Sequence, residues 1–246
     1  MNPIVIKFGG TALATPNRLR LAARRVRAHL RRGEMPVVVA SALGHTTDRI
    51  LRRLERCGIS GKHAGREVDR ALVTGEALSS AMLAGCLRTL GISALSLSGG
   101  DAGLEGAGEF GRGVIARIDP APIRRRLTGG AVPVIAGFQA RRPDGETITL
   151  GRGASDTTAV ALAAGLGSVP CHIVTDVSAV YDRDPNLDGA AQPYRQLSHD
   201  ELLRLAMDGA QVVNPEAARL ALEHRVPLCI YSYRAVFGEE YGTRVG

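Results

Sequence analysis

The stretch "GRGASDTTAV", residues 151–160, sets Arg152 and Asp156 four positions apart around glycines and Ser155, directly before an alanine-rich apolar run. A strand-to-helix connection needs only a cap and a glycine, and Ser155 or Asp156 can serve as that cap. Arg152 is then more charge than capping requires. A guanidinium forks onto a carboxylate, while a carboxylate accepts from an ammonium or positions a phosphate-bearing partner. Opposite charges held apart on rigid backbone suit a small molecule that carries both. Upstream, "VTGEALSS" puts Glu76 beside Gly75 inside a long helical pattern. Glycine there costs about 1 kcal/mol relative to alanine, so a break or a close approach is expected. Glu76 reads either as a solvated helix residue or as a carboxylate for an amine.

Three further stretches carry chemistry. In "KFGGTA", residues 7–12, Gly9 and Gly10 allow close backbone approach and offer N–H groups to an anion. Lys7 stands beside them, and Lys62 is the only other lysine among 31 basic residues, which suggests a site that needs a compact point charge. The spacing matches neither a Walker A loop nor G-x-G-x-x-G. In "SALGHTTDR", Ser41, Thr46 and Thr47 offer hydroxyls ahead of a helix, with Thr46 or Thr47 as its N-cap. "VTDVSAVYDRDPN" reads either as a surface loop or as a nucleotide loop, with Tyr181 against a base or ribose and Arg183 near phosphate.

The elements that must position these residues alternate. Strands are expected at "PIVIKF", "PVVVAS", "ISALSLS", "GVIARI", "AVPVIAGF", "CHIVTDV" and "PLCIYSY". Helices are expected at 17–32, 47–57, 64–90 with a weak point at Gly75, 120–128, 156–166, 198–207 and 215–224. A hairpin with Asp144-Gly145 at its tip precedes the Arg152 loop. Strands apolar on both faces and interleaved with helices imply an α/β fold with a mostly parallel sheet covered on both sides. In such sheets ligands bind beyond the carboxyl ends of the strands, which is where the charged stretches fall.

Composition narrows the partners. The chain has 246 residues, a formal charge of +7, 45% hydrophobic residues and 4% aromatics. The arginines of "LAARRVRAHLRR" fall opposite Leu19, Ala22, Val26 and Leu30, so they read as a solvated helix face rather than a nucleic-acid surface. Few aromatics leave few stacking platforms for single strands. No apolar run reaches the ~20 residues of a membrane span, and "IVIKFGG" opens without a signal-peptide layout. No nucleic-acid or membrane partner and a cytoplasmic location are therefore expected. Cys57, Cys86, Cys171 and Cys229 are scattered in apolar surroundings and read as buried thiols rather than a disulfide framework or a metal site.

Taken together, "KFGGT", "SALGHTTD", "TGEALSS", "VIAGFQA", "TLGRGASDTTAVALAAGL", "TDVSAVYDRDP" and the closing "GT" resemble, in order, the catalytic domain of aspartokinases within the amino acid kinase family. The resemblance implies a single three-layer α/β domain over residues 1–246, with a central mostly parallel sheet of about eight strands; the ACT regulatory domains that usually follow in aspartokinases are not expected here. It implies transfer of the γ-phosphoryl of ATP to the side-chain carboxylate of L-aspartate, with Mg²⁺, and a homodimer as the assembly to test. Lys7 would neutralise charge on the transferring group, and Lys7 and Asp156 are the expected catalytic residues. Gly9, Gly10 and Thr11 would line the phosphate channel. Ser41, Thr47, Glu76, Arg152, Ser155 and Asp156 would hold the amino acid. Thr175, Asp176, Tyr181, Arg183 and Asp184 would surround the nucleotide.

The chain departs from the family pattern at informative places. Gln211 stands where a phosphate-contacting lysine is expected, Asn214 replaces a histidine, Ala12 a serine and Ala154 a glycine. Arg183, placed before the D-P pair, is the expected substitute for the missing lysine. Two other readings stay open: a kinase for another small amino or carboxylic acid, and a non-catalytic binding subunit motivated by Gln211. The joint presence of Lys7, Glu76, Arg152 and Asp156 favours a kinase, because a decayed site would lose such charges first.

Overall fold

The computed structural model describes residues 2–151, 153–183, 188–209, 213–235 and 242–246. Arg152, Asp184 and Gln211 therefore lie outside the described residues. The chain runs β1 (Pro3–Phe8), α1 (Gly10–Leu13), α2 (Pro16–Arg31), β2 (Met35–Ala40), α3 (Thr46–Arg56), α4 (Gly61–Leu72), α5 (Thr74–Thr89) and β3 (Ala94–Leu97). It continues through β4 (Leu104–Ala107), β5 (Val114–Ile118), α6 (Ala121–Thr128), β6 (Val132–Ala136), β7 (Gln139–Arg141), β8 (Thr147–Thr149) and α7 (Ser155–Gly165). It closes with β9 (Cys171–Thr175), β10 (Gln196–Leu197), α8 (His199–Met207), α9 (Pro215–His224), β11 (Leu228–Ser232) and β12 (Thr243–Val245).

The main sheet is eight-stranded in the order β10-β12-β11-β9-β1-β2-β6-β3. Its pairs are parallel apart from β11 with β12. Alternation along β1 divides the core. Ile4, Ile6 and Phe8 pack with Leu19 and Val26 of α2 and Leu83 and Leu87 of α5. Val5 packs on the other face with Val160 of α7, Leu202 of α8 and Ala218 of α9. Helices on both faces bury the aliphatic runs and give the expected three layers. Every residue of α7 from Ser155 to Ala163 is buried, as a helix without a polar face must be.

A second, four-stranded sheet, β5-β4-β7-β8, was not foreseen. The Asp144-Gly145 hairpin forms its β7–β8 pair, with Gly145 at φ 86°. The "GVIARI" strand is its antiparallel edge rather than part of the parallel sheet. The expected helix 64–90 is two helices that meet at Val73, not at Gly75. Gly75 sits inside α5, where a β-carbon would lie 3.0 Å from that of Ala42, so close approach is the reason for the glycine. His45 and Ala154 are the N-caps of α3 and α7, in place of the expected Thr46 or Thr47 and Ser155 or Asp156. Thr46 instead donates its hydroxyl to the Leu43 carbonyl at 2.7 Å.

Two surface expectations also fail. Arg25 is buried, donating to the carbonyls of Ala235 at 2.6 Å and Tyr233 at 3.3 Å, with its guanidinium 5.0 Å from the Tyr231 ring. The Tyr233 and Ala235 carbonyls, just beyond the end of β11, hold it inside. Cys57 is exposed at the C-cap of α3, whereas Cys171 is buried as expected.

The second sheet is tied to α4 by Asp69, a fully buried carboxylate on that helix. It accepts from the Thr149 N–H at 2.8 Å, the Thr149 hydroxyl at 2.8 Å and the Gly111 N–H at 3.0 Å. Asp69→Ala strands all three donors, and each buried unsatisfied group costs about 1–3 kcal/mol. A loss of roughly 3 kcal/mol or more in urea unfolding is expected, with a smaller loss for Asp69→Asn, which keeps an acceptor. Equal losses for the two variants would show that shape rather than hydrogen bonding sets the cost.

Candidate active site

The register of the central strands brings the candidate residues to one end of the sheet. Lys7 pairs with Val39 of β2 and Ile173 of β9, so β1 leaves the sheet between the ends of its neighbours. Its ammonium Nζ lies 2.7 Å from Oδ1 of Asp156, in the first turn of α7. Both side chains are nearly buried, and the approach is a short ionic contact rather than a well-aligned hydrogen bond. The other carboxylate oxygen accepts from the Asn214 N–H at 3.3 Å. Asp156 was expected to face a substrate ammonium; its carboxylate is engaged by Lys7 instead. The N-terminal turn of a helix is a favourable place for that negative charge.

Gly9 and Gly10 differ in role. The Gly9 N–H donates to the Val174 carbonyl at 2.9 Å, so it is not the open anion donor expected of it. A β-carbon on Gly9 would stand 3.5 Å from Lys7 Nζ, and one on Gly10 would stand 2.6 Å from the Ala42 carbonyl oxygen. Gly10 is therefore required by the close crossing of α1 over the end of β2. Thr11 follows on α1 with its side chain toward solvent.

On the β2 side, Ser41 donates its N–H to the Phe8 carbonyl at 3.1 Å, and Thr47 lies half-buried in α3. Glu76 is only 3% exposed. Its Oε1 accepts from the Ala42 N–H at 3.1 Å, while Oε2 has no partner among the described residues. Burial pushes the carboxyl up to about 7 against the pull of that N–H. A buried carboxylate with an unused oxygen is prepared for a cation. Ser155 is buried, and its hydroxyl lies 2.7 Å from where a β-carbon on Gly137 would be, so α7 crosses β6 only because residue 137 is glycine.

The β9 side holds Thr175, whose hydroxyl donates to Asp176 at 3.2 Å, and Asp176 is exposed. Tyr181 forms a lone bridge with Pro193. Arg183 is exposed and held by Asp182 at 3.2 Å and Asp188 at 3.0 Å. Its charge is thus already matched, against the expectation that it replaces a phosphate-binding lysine. The structure brings Lys7, Gly9, Gly10, Asp156 and Thr175 to one edge and places Glu76 behind Ala42 beside it. Asn214 was noted only as a departure, yet its N–H holds Asp156 and its side chain accepts from the Glu216 N–H at 2.9 Å as the α9 cap. The N-P-E sequence at 214–216 carries that capping signal.

Residues 2–232 match the model of the amino acid kinase family. The aspartokinase of Geobacillus stearothermophilus is 42% identical over 245 residues, covering 100% of this chain and 59% of its own length. The chain thus spans little more than half of that relative. The crystal structure of aspartate kinase from Synechocystis superposes with a TM-score of 0.82 at 37% identity, over 98% of this chain and 39% of the other. E. coli aspartokinase III, solved in complex with aspartate and ADP, gives a TM-score of 0.82 at 24% identity, over 99% of this chain and 64% of its own. No described helix is long and apolar enough to cross a membrane.

The raised carboxyl of Glu76 makes the ligand-free protein pH-sensitive. The folded state favours the neutral acid, so its contribution is full below about 4.5 and is lost as pH rises through about 7. This group should lower stability by roughly 3 kcal/mol between those values. Urea unfolding across that range should show the decline in wild type and a flatter profile in Glu76→Gln. Parallel profiles would place the unused oxygen in contact with water.

Proposed function

The chain belongs to the amino acid kinase family, and we propose that within it the chain transfers the γ-phosphoryl of ATP to the side-chain carboxylate of L-aspartate. The observation that carries this reading is the Lys7–Asp156 pair, a buried ammonium fixed at the carboxyl ends of the central strands. Phosphoryl transfer needs positioning and neutralisation of charge on the migrating group, and a rigid, poorly hydrated cation supplies that. The acceptor carboxylate is already ionised. Its oxygen forms the new O–P bond as the bond to the ADP oxygen breaks, and no proton has to move. A site of cations and hydrogen-bond donors, without a histidine base, suits that reaction.

Glu76 supports an amino acid as acceptor. Its unused oxygen fits the ammonium, and Arg152 would fork onto the α-carboxylate. Pairing with the ammonium would draw Glu76 into its ionised form, so binding near pH 6 should release protons. E. coli aspartokinase III, with bound aspartate and ADP, shows the same two ligand classes on a closely similar fold. Among the described residues no group of three or more His, Cys, Asp or Glu could hold a metal. In this reading the ion comes with the phosphates of ATP. Mg²⁺ so bound supplies neutralisation of the phosphate oxygens, and the exposed Asp176 would hold it from the β9 side.

The test is ATP consumption with hydroxylamine trapping of the acyl phosphate, across aspartate and related acids. Aspartate should be the preferred acceptor. Lys7→Ala should lower kcat/KM by roughly 10²–10³-fold, the range for one well-placed electrostatic group. Arg152→Ala should abolish acceptor use and leave ATP binding near wild type, a loss of about 2–3 kcal/mol or more. Calorimetry in which Arg152→Ala lost ATP and kept aspartate would reverse the two half-sites. Absence of turnover with every acid, with turnover gained by Gln211→Lys, would make the chain a binding subunit.

A further inference from the structure

We infer that Arg234 and Arg18, gathered on the ring of Tyr233, form the cationic edge that grips the polyphosphate of the nucleotide. This inference rests on the nucleotide half of the kinase reading and assigns it residues that the sequence motifs did not mark. The Tyr233 N–H donates to the Thr175 carbonyl at 2.8 Å, which continues the β9–β11 ladder one step beyond its last pair. The Ser232 hydroxyl donates to the Asp176 carbonyl at 3.4 Å and accepts from the Arg234 N–H at 3.2 Å. Gly9, bonded to Val174, comes within 4.0 Å of the Thr175 Cα at its would-be β-carbon. Gly9, Thr175 and Tyr233 thus stand side by side at the carboxyl ends of β1, β9 and β11, where ligands of such sheets bind.

Arg18 reaches this edge from α2. It donates to the Thr11 carbonyl at 2.8 Å, and its guanidinium carbon lies 4.6 Å from the centre of the Tyr233 ring. Arg234 lies 5.4 Å from the same centre and donates Nε to the Tyr233 hydroxyl at 3.1 Å. Two guanidinium groups gathered on one tyrosine repel each other, and the ring offsets only part of that. Neither arginine pairs with a carboxylate among the described residues, whereas Arg183 pairs with two. Each guanidinium keeps further N–H donors for a bidentate contact with phosphate oxygens. An anion at this edge therefore relieves the repulsion, and the cation expected at residue 211 is supplied from the turn after β11 and from α2.

The measurement is calorimetric titration of ATP, inorganic tripolyphosphate and adenosine into wild type, Arg234→Ala, Arg234→Lys and Arg183→Ala. Arg234 is exposed, so its replacement should leave the fold intact, which thermal unfolding can verify. Arg234→Ala should weaken ATP and tripolyphosphate about tenfold or more, Arg234→Lys should recover part of that, and adenosine should bind unchanged. Arg183→Ala should match wild type. In steady state Arg234→Ala should raise the KM for ATP more than it lowers kcat. If wild type binds ATP and Arg234→Ala binds it equally well, the inference is overturned while the kinase reading stands. The same holds if Arg183→Ala alone carries the loss. A wild type that binds neither ATP nor tripolyphosphate removes both.

Discussion

One buried ion pair sets the geometry of the functional end of this protein. Lys7 and Asp156 are each largely withdrawn from water, and such a pair persists only when its remaining hydrogen-bonding capacity is met. Asp156 is met by the Asn214 N–H, which fixes the start of α9 against the start of α7. The approach of these segments then dictates the glycines. Gly153 has φ 78° and a β-carbon there would lie 2.9 Å from the side-chain Nδ2 of Asn214, while one on Gly137 would overlap Ser155. Removing either charge would leave the other buried and alone, at a cost of several kcal/mol.

Much of this was legible because strand ends and glycines leave strong signals. Aliphatic runs such as "VVVA" and "IVI" read directly as strands buried on both faces, and α2, α6, α7, α8 and α9 fall within a residue of their expected spans. The second sheet was not legible. "GVIARI" and the Asp144-Gly145 hairpin read as strands, but Leu104–Ala107, which joins them into one sheet, is four residues long and contains Gly106, so it leaves no strand signal. The break at Val73 was hidden because Val73 and Thr74 interrupt the helix without glycine or proline, while the conspicuous Gly75 serves close packing.

At the site, residue types were legible and partnerships were not. Glu76 announces itself beside Gly75, but only the fold shows that one carboxylate oxygen is spent on Ala42 and the other is unused. Asp156 was read with Arg152 because the two are close in sequence, whereas its partner Lys7 lies far upstream and meets it because α7 packs across β1. Arg25 was placed on a solvated helix face by periodicity, yet the carbonyls of Tyr233 and Ala235 after β11 hold it inside. Sequence proximity is a poor guide to ion pairing when the elements involved are brought together by a parallel sheet.

The same reasoning separates cations that can serve a ligand from those that cannot. Arg183 lies in the loop that motif spacing marks for the nucleotide, but two aspartates hold it in water, where exposed pairs contribute little and compete with any incoming phosphate. Lys7 is also paired, yet its partner is rigid, its surroundings are poorly hydrated, and its ammonium has further donors to give. In a medium of low polarity the field of such a group reaches a neighbouring anion with less screening. Burial thus turns a matched charge into a positioned one, and exposure leaves a matched charge as surface. That difference, rather than the count of basic residues near the strand ends, decides which cations a phosphoryl group would meet.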